Sequence, residues 1–218
     1  MSGHRSPLQP VQLAPPEDVI LAARSVMGSI DLDVHSCPDV NRLVQAKRFF
    51  DCTEDSLEFT LARSWAPESA PAAPEQQGRR VLVAPPATAN ATRRLINKAL
   101  REYRLGHIHE ALLWIAHNES IIRAPWVWDF PVCLPFRRLR SCWWDDETER
   151  FRAISPSDWG AAIYLPPAAS SALFETRVAR FHVAFAPLGR IVFNQYSGED
   201  DWLSAYRVVT GKSFNFRD

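Results

Sequence analysis

Apolar residues recur along this chain in two rhythms, one helical and one extended, and the two alternate. After Pro15-Pro16-Glu17-Asp18, the residues Val19, Ile20, Ala23, Val26 and Met27 repeat at helical spacing. Prolines and acids suit a first helical turn, where N–H groups lack partners and the dipole is positive. Gly28 is placed to end that helix. Ile30-Asp31-Leu32-Asp33-Val34 alternates apolar and acidic side chains and predicts a short strand. Asp39 to Lys47 predicts a short helix, Phe49-Phe50 a second strand, and Asp51 to Ser56 a polar turn. Val81 to Val83 predicts the next strand. Ala91 to Tyr103 follows as a helix with a basic outer face, closed by Gly106. Ala111 to Ile115 predicts a strand, Glu119 to Trp128 a helix or turn broken by Pro125, and Val132 to Leu139 an extended segment. Cys142 to Glu149 is polar and acidic, a hairpin tip or mobile loop. Ala161 to Leu165 predicts a strand, Leu173 to Phe181 or slightly beyond a helix, and Arg190 to Phe193 a last strand. Strands alternating with helices predict an α/β sheet domain.

The chain has 218 residues, 46% of them hydrophobic, enough to bury a full core in one domain. Lys plus Arg and Asp plus Glu number 25 each, which excludes a whole-protein basic field and leaves room for a local one. No apolar run approaches the roughly 18 residues of a spanning helix. Residues 1–13 read as a flexible tail, and residues 1–16 are polar and Pro-rich without an apolar signal core, so the expectation is an intracellular, cytoplasmic protein. Residues 66–79 form a Pro/Ala-rich loop inside a domain spanning 14–195, and 196–218 form a C-terminal extension. The four cysteines show no Cys-x-x-Cys spacing and read as reduced thiols rather than a metal site. His107, His109 and His117 lack a diagnostic spacing, and no metal is expected.

Val81-Leu82-Val83-Ala84-Pro85-Pro86-Ala87 is the most informative stretch. Two prolines fix φ and remove two donors, forcing a rigid turn at the end of a strand. In open α/β sheets that end is where ligands bind. Yet Ala84 and Ala87 bring no polar side chain to it.

Several phrases carry a resemblance when taken in order. They are Pro15-Pro16-x-x-Val19, Asp31-Leu32-Asp33-x-x-Ser36, Asn41-x-x-Val44-x-Ala46, Phe49-Phe50, Glu54-Asp55-Ser56-Leu57, Trp65 and Val81-Leu82-Val83-x-Pro85-Pro86. Phe174 with Phe181, and Phe185-x-x-x-Gly189-Arg190-Ile191, continue the series. Together they resemble the phage-type DNA N-6-adenine methyltransferases over roughly residues 14 to 195. The resemblance implies a Rossmann-like methyltransferase fold, a single three-layer domain with a mostly parallel sheet. It implies S-adenosylmethionine as cofactor and DNA as substrate, with the target adenine flipped from its stack. It also implies roles for particular residues. Pro15, Asp31, Asp33, Ser36 and Asp55 would hold the cofactor, with Asp31 and Asp33 together at the end of the first strand; without the family pattern, Asp31 and Asp33 read as a solvated strand end or a helix cap. Ala84, Pro85, Pro86 and Ala87 would occupy the catalytic loop, usually Asn/Asp-Pro-Pro-Tyr/Phe. The Pro85 carbonyl survives there as an acceptor, but the side-chain acceptor and the stacking ring are gone. The family pattern has Pro at Val34 and Gly at Ser56, so the loop geometry departs at both.

Stacking a base on an aromatic ring is worth about 1–3 kcal/mol. A preorganised polar contact to a transition state is worth about 2.7–4 kcal/mol. Losing both lowers the rate by roughly 10³-fold or more, which predicts a weakened or dead methyltransferase, a pseudoenzyme. The alternative is a non-catalytic DNA-binding or partner-subunit protein on the same fold.

Arg137, Arg138 and Arg140, next to Trp143-Trp144, form a candidate DNA contact. Asp145, Asp146, Glu147 and Glu149 follow directly and either repel a phosphate backbone or pair with the arginines. Arg93, Arg94, Lys98, Arg101 and Arg104 line the helix after the Pro-Pro turn, as a phosphate contact or an ordinary solvated face. Trp114, Trp126, Trp128, Trp143, Trp144 and Trp159 fall within one third of the chain. Most read as core or lid packing, and an exposed subset would form a protein-partner interface.

Overall fold

Strand β1 (Leu32–Ser36) is the second strand from one edge of a seven-stranded sheet. The computed structural model describes residues 13–52, 57–68, 78–86, 88–116, 121, 123–154, 159–167 and 171–193. Residues 1–12 of the expected tail, the 196–218 extension, Asp55, Ala87, His117 and most of the Pro/Ala-rich loop lie outside them.

Helix α1 (Glu17–Met27) begins after Pro16 with Glu17 and Asp18 in its first turn. It ends at Gly28, whose φ of 79° lies in the left-handed region that glycine enters without a steric penalty. β1 pairs in parallel with β2 (Arg48–Asp51) on one side and β3 (Arg79–Val83) on the other. β3 in turn pairs in parallel with β4 (Ile108–Ile115). The parallel links need helical crossovers. Helix α2 (Pro38–Val44) joins β1 to β2, α3 (Leu57–Ala62) lies between β2 and β3, and α4 (Ala89–Arg104) joins β3 to β4. Asn41 explains the spacing of its own sequence phrase. Its side chain accepts from the Ala46 N–H (2.9 Å) and donates to the Ala46 carbonyl (3.2 Å), closing the turn from α2 into β2.

The other half of the sheet is antiparallel. β8 (Ala161–Leu165) runs against β4, β5 (Val132–Pro135) runs against β8, and β9 (Gly189–Val192) runs against β5. β5 therefore points the same way as β1 to β4. The architecture is α/β, with a mixed, mostly parallel seven-stranded sheet flanked by helices.

Period-2 alternation divides the buried side chains between two faces. Leu82, Leu112, Trp114, Ala162 and Tyr164 face α1, α2 and α5 (Ser171–Phe185), where Phe181 and Phe185 complete the core. Leu32, Val34, Val81, Val83, Ala111, Leu113, Ile163 and Leu165 face α4, packing on Leu95, Ile96 and Ala99. Trp65 is wholly buried on this second face. Its backbone N–H donates to Glu102 at 3.1 Å, and Glu102 also binds Lys98 (2.5 Å) and His107 (2.7 Å).

A hairpin of β6 (Cys142–Asp145) and β7 (Arg150–Ala153) stands outside the main sheet. Cys142 bridges to Ala14 just before α1, and Trp144 lies under the Arg42 guanidinium of α2 at 4.4 Å. The acidic segment expected at a hairpin tip is that tip. Asp145 accepts from the Glu147 N–H and the Thr148 hydroxyl and pairs with Arg152 at 2.5 Å.

Candidate functional site at the carboxyl edge of the sheet

The chain leaves β1 to build β2 on one side and later returns to build β3 on the other. The carboxyl ends of β1 and β3 therefore flank a switch in strand order, the place where α/β sheets open a crevice. β1 contributes Asp33 and Ser36 near this edge, and β3 contributes Ala84-Pro85-Pro86. Register places Asp33 beside Leu82, two residues before Ala84. Pro15, buried ahead of α1, belongs to the same edge, because α1 runs back toward the start of the strands. Arg80 Nη1 donates to the Met27 carbonyl at 3.1 Å and fixes the far end of α1 at the start of β3.

Asp33 lies on the α1 side of the sheet and is 1% exposed. Its Oδ1 accepts from the His35 N–H at 3.2 Å. Neither Asp33 Oδ2 nor Ser36 Oγ, both buried, has a hydrogen-bond partner of acceptable geometry among the described residues. Burial pushes the Asp33 carboxyl up to about 6, with the His35 N–H and the nearby Ser36 hydroxyl acting the other way. Buried polar atoms without partners are costly, commonly by about 1–3 kcal/mol each. Two of them at a switch point fit the hydroxyl and amino groups of a polar ligand. Cys52 stands close by, its N–H donating to the Ser36 carbonyl at 2.7 Å; burial pushes its thiol up to about 12. All four cysteines are free thiols.

Asp31 is not part of this constellation. It precedes β1, at the opposite end of the strand from Ser36, and is saturated. Arg80 donates to it from the backbone N–H (3.0 Å) and through Nε (3.0 Å) and Nη2 (3.1 Å), and Lys47 adds a contact at 2.7 Å. Burial would raise its carboxyl, but these donors outweigh it and hold it at about 2. The expectation that Asp31 and Asp33 act together is corrected: Asp31 ties β1 to β3 and to the α2–β2 connection.

The Pro-Pro turn is anchored from one side. The Pro86 carbonyl accepts from the Thr88 N–H at 2.7 Å and the Thr92 hydroxyl at 3.3 Å, while Thr88 caps α4. The Pro85 carbonyl accepts no hydrogen bond among the described residues. Asn90, the nearest amide along the chain, is exposed on α4.

Arg137, Arg138 and Arg140 are exposed in the connection leaving β5, which ends at the same edge as β3. Three strand spacings separate β5 from β3 in the sheet, roughly 14 Å. Arg137 reaches Asp18 of α1 at 3.6 Å, while Asp145 pairs with Arg152 instead of this cluster. Of the clustered tryptophans, Trp114 is buried, Trp126 and Trp128 pack in the α4-side core, and Trp159 is 42% exposed. His107 is taken by Glu102, and no group of metal-ligating side chains forms among the described residues.

Sequence reasoning passed over one buried cluster. Glu110, on β4, accepts from the Tyr164 hydroxyl and lies 3.8 Å from Arg177. Its position directly before the apolar run Ala111–Ile115 was the available signal. It lies near the start of β4, away from the crevice.

No family model, curated protein or solved structure matches the chain.

Proposed function

We propose that the crevice between β1 and β3 is an S-adenosylmethionine site inherited from a DNA adenine N6-methyltransferase of the phage type, with its catalytic loop degenerate. The observation that carries the reading is the meeting, at one switch point, of two buried oxygens, Asp33 Oδ2 and Ser36 Oγ, with a Pro-Pro turn whose Pro85 carbonyl, like them, has no partner among the described residues. Asp33 and Ser36 would receive the cofactor's hydroxyl or amino groups, and Pro15 would line the same edge. When bound, the cofactor supplies an activated methyl group. The chain's own part would be to exclude water, hold the cofactor beside the Pro-Pro turn and present Arg137, Arg138 and Arg140 to DNA phosphates. The Pro85 carbonyl accepts one hydrogen from the adenine amino group. Ala84 adds no second acceptor, and Ala87 adds no ring for the flipped base. The expected rate is roughly 10³-fold below that of an intact loop.

Calorimetry with S-adenosylmethionine and a labelled-methyl assay on unmethylated duplex DNA test the reading together. Micromolar cofactor binding with weak or absent transfer supports it. Robust turnover refutes the impairment, and absent cofactor binding removes the site. The side-chain chemistry of Ala84 and Ala87 favours one second reading, a non-catalytic DNA-binding or partner-subunit protein on this fold. Duplex or protein binding without cofactor binding would select it.

A further inference from the structure

Helix α4 carries a second candidate site on its outer surface, away from the crevice. At 100° per residue, Asn90, Arg93, Asn97, Arg101 and Arg104 fall within about 80° of one another around the helix axis. All five are exposed. Arg93 and Arg104 stand about 16 Å apart along the axis, at 1.5 Å per residue. The helix's other two cations are spoken for: Arg94 pairs with Glu58 and Lys98 with Glu102. Arg93, Arg101 and Arg104 have no acidic partner among the described residues.

That arrangement departs from an ordinary solvated face, where both signs are interspersed. The chain as a whole balances 25 basic against 25 acidic residues, so acids are available and are kept off this stripe. The one acid of α4, Glu102, is turned inward and buried. Helices α1, α2 and α3 each place an acid in the first turn, whereas α4, like α5, places none. Like charges one turn apart destabilise a helix unless something neutralises them. Arginine forks and asparagine amides are the groups that bind phosphate oxygens. A membrane-surface helix would need an apolar face free to insert, whereas the apolar face of α4 is buried against the sheet.

We propose that the Asn90–Arg104 face of α4 is a contact for the phosphate backbone of a nucleic-acid duplex. It acts independently of the cofactor crevice and of the Arg137–Arg140 cluster, and sets affinity rather than sequence preference.

The test is fluorescence anisotropy of a labelled 20-base-pair duplex with the full, cofactor-free chain, between 50 and 300 mM NaCl. Each phosphate contact contributes about 0.9 to the slope of log affinity against log salt, so Arg93→Gln/Arg101→Gln/Arg104→Gln should lower that slope by about 2.7. If the curves converge near 1 M salt, the loss at 0.1 M is roughly 500-fold. Arg101→Gln alone should lower the slope by about 0.9, a readout that survives even if the triple variant folds poorly. Arg24→Gln/Arg180→Gln/Arg190→Gln removes the same charge elsewhere and should leave the slope unchanged. An unchanged slope in the α4 variants overturns the proposal. So does absence of duplex binding at 50 mM NaCl, or stronger binding to phosphatidylserine vesicles than to the duplex. The slope changes of the α4 variants do not bear on the methyltransferase reading, whose cofactor site calorimetry decides separately; absence of any duplex binding would count against its DNA contact as well.

Discussion

Replacing Asp33 by Asn should make the protein more stable at neutral and alkaline pH while removing its cofactor binding. The carboxyl is held at about 6 in the fold against an ordinary value of 3.8, chiefly by burial. At about 1.4 kcal/mol for each tenfold change in proton affinity, the gap amounts to about 3 kcal/mol. The folded chain binds this proton more tightly than the unfolded chain. Its contribution to stability is therefore greatest below pH 3.8, declines as pH rises, and is gone above pH 6. Asn keeps the shape, retains an acceptor for the His35 N–H and never ionises. Its extra donor costs about the same at every pH, so the informative quantity is the difference between two pH values. Thermal unfolding at pH 4 and pH 8 supplies it. Relative to the parent, Asp33→Asn should gain up to about 3 kcal/mol between pH 4 and pH 8, or roughly 6–12 °C in a chain of this size. Equal effects at both pH values would refute the reasoning, because Asp33 would then not be carrying a suppressed charge. A buried carboxylate kept at such a cost is what a ligand site, rather than a packing site, demands.

Three further outcomes follow from the same geometry. Asp31→Ala should lose about 2 kcal/mol at pH 7, the value of holding that carboxyl at about 2, while leaving S-adenosylmethionine binding unchanged. In the parent this contribution disappears as pH falls from 3.8 toward 2, which denaturant titrations across that range will show. Glu102→Ala should cost about 3–5 kcal/mol in urea unfolding, because it strands a largely buried Lys98 and frees the Trp65 N–H. Burial alone would raise Glu102, but Lys98, His107 and the Trp65 N–H hold it low, so the parent loses this support as pH drops below the ordinary Glu value. Ala84→Asn/Ala87→Tyr should raise methyl transfer to duplex DNA by roughly 10²–10³-fold in the labelled-methyl assay by restoring the acceptor and the ring.

The elements that read clearly in the sequence are those whose burial follows a single rhythm. Helix α1 starts and ends where Pro16 and Gly28 place it, and β8 spans the expected Ala161–Leu165. Asp31 shows how the rhythm misleads. Ile30, Leu32 and Val34 alternate as one strand would, but Ile30 packs on the α1 side whereas Leu32 and Val34 face α4. The strand begins two residues later than the pattern suggests, and Asp31 falls at the wrong end. Helix α3, six residues long, was hidden because its place is set by packing on α4 rather than by its own periodicity. The antiparallel half of the sheet was equally hidden, since β5, β8 and β9 look alike locally and their order depends on pairings distant in the chain. The Pro-Pro turn was legible because proline acts through its own backbone. The unpartnered oxygens of Asp33 and Ser36 emerge only once burial is known.

A crystal structure grown with S-adenosylmethionine bears most directly on the central claim. The expected density places the cofactor between β1 and β3, its polar groups on Asp33 Oδ2 and Ser36 Oγ and its methyl group beside the Pro-Pro turn, with Asp31 still bound to Arg80. Cofactor located elsewhere, or crystals that exclude it at millimolar concentration while Asp33 and Ser36 bond to other parts of the chain, would contradict it.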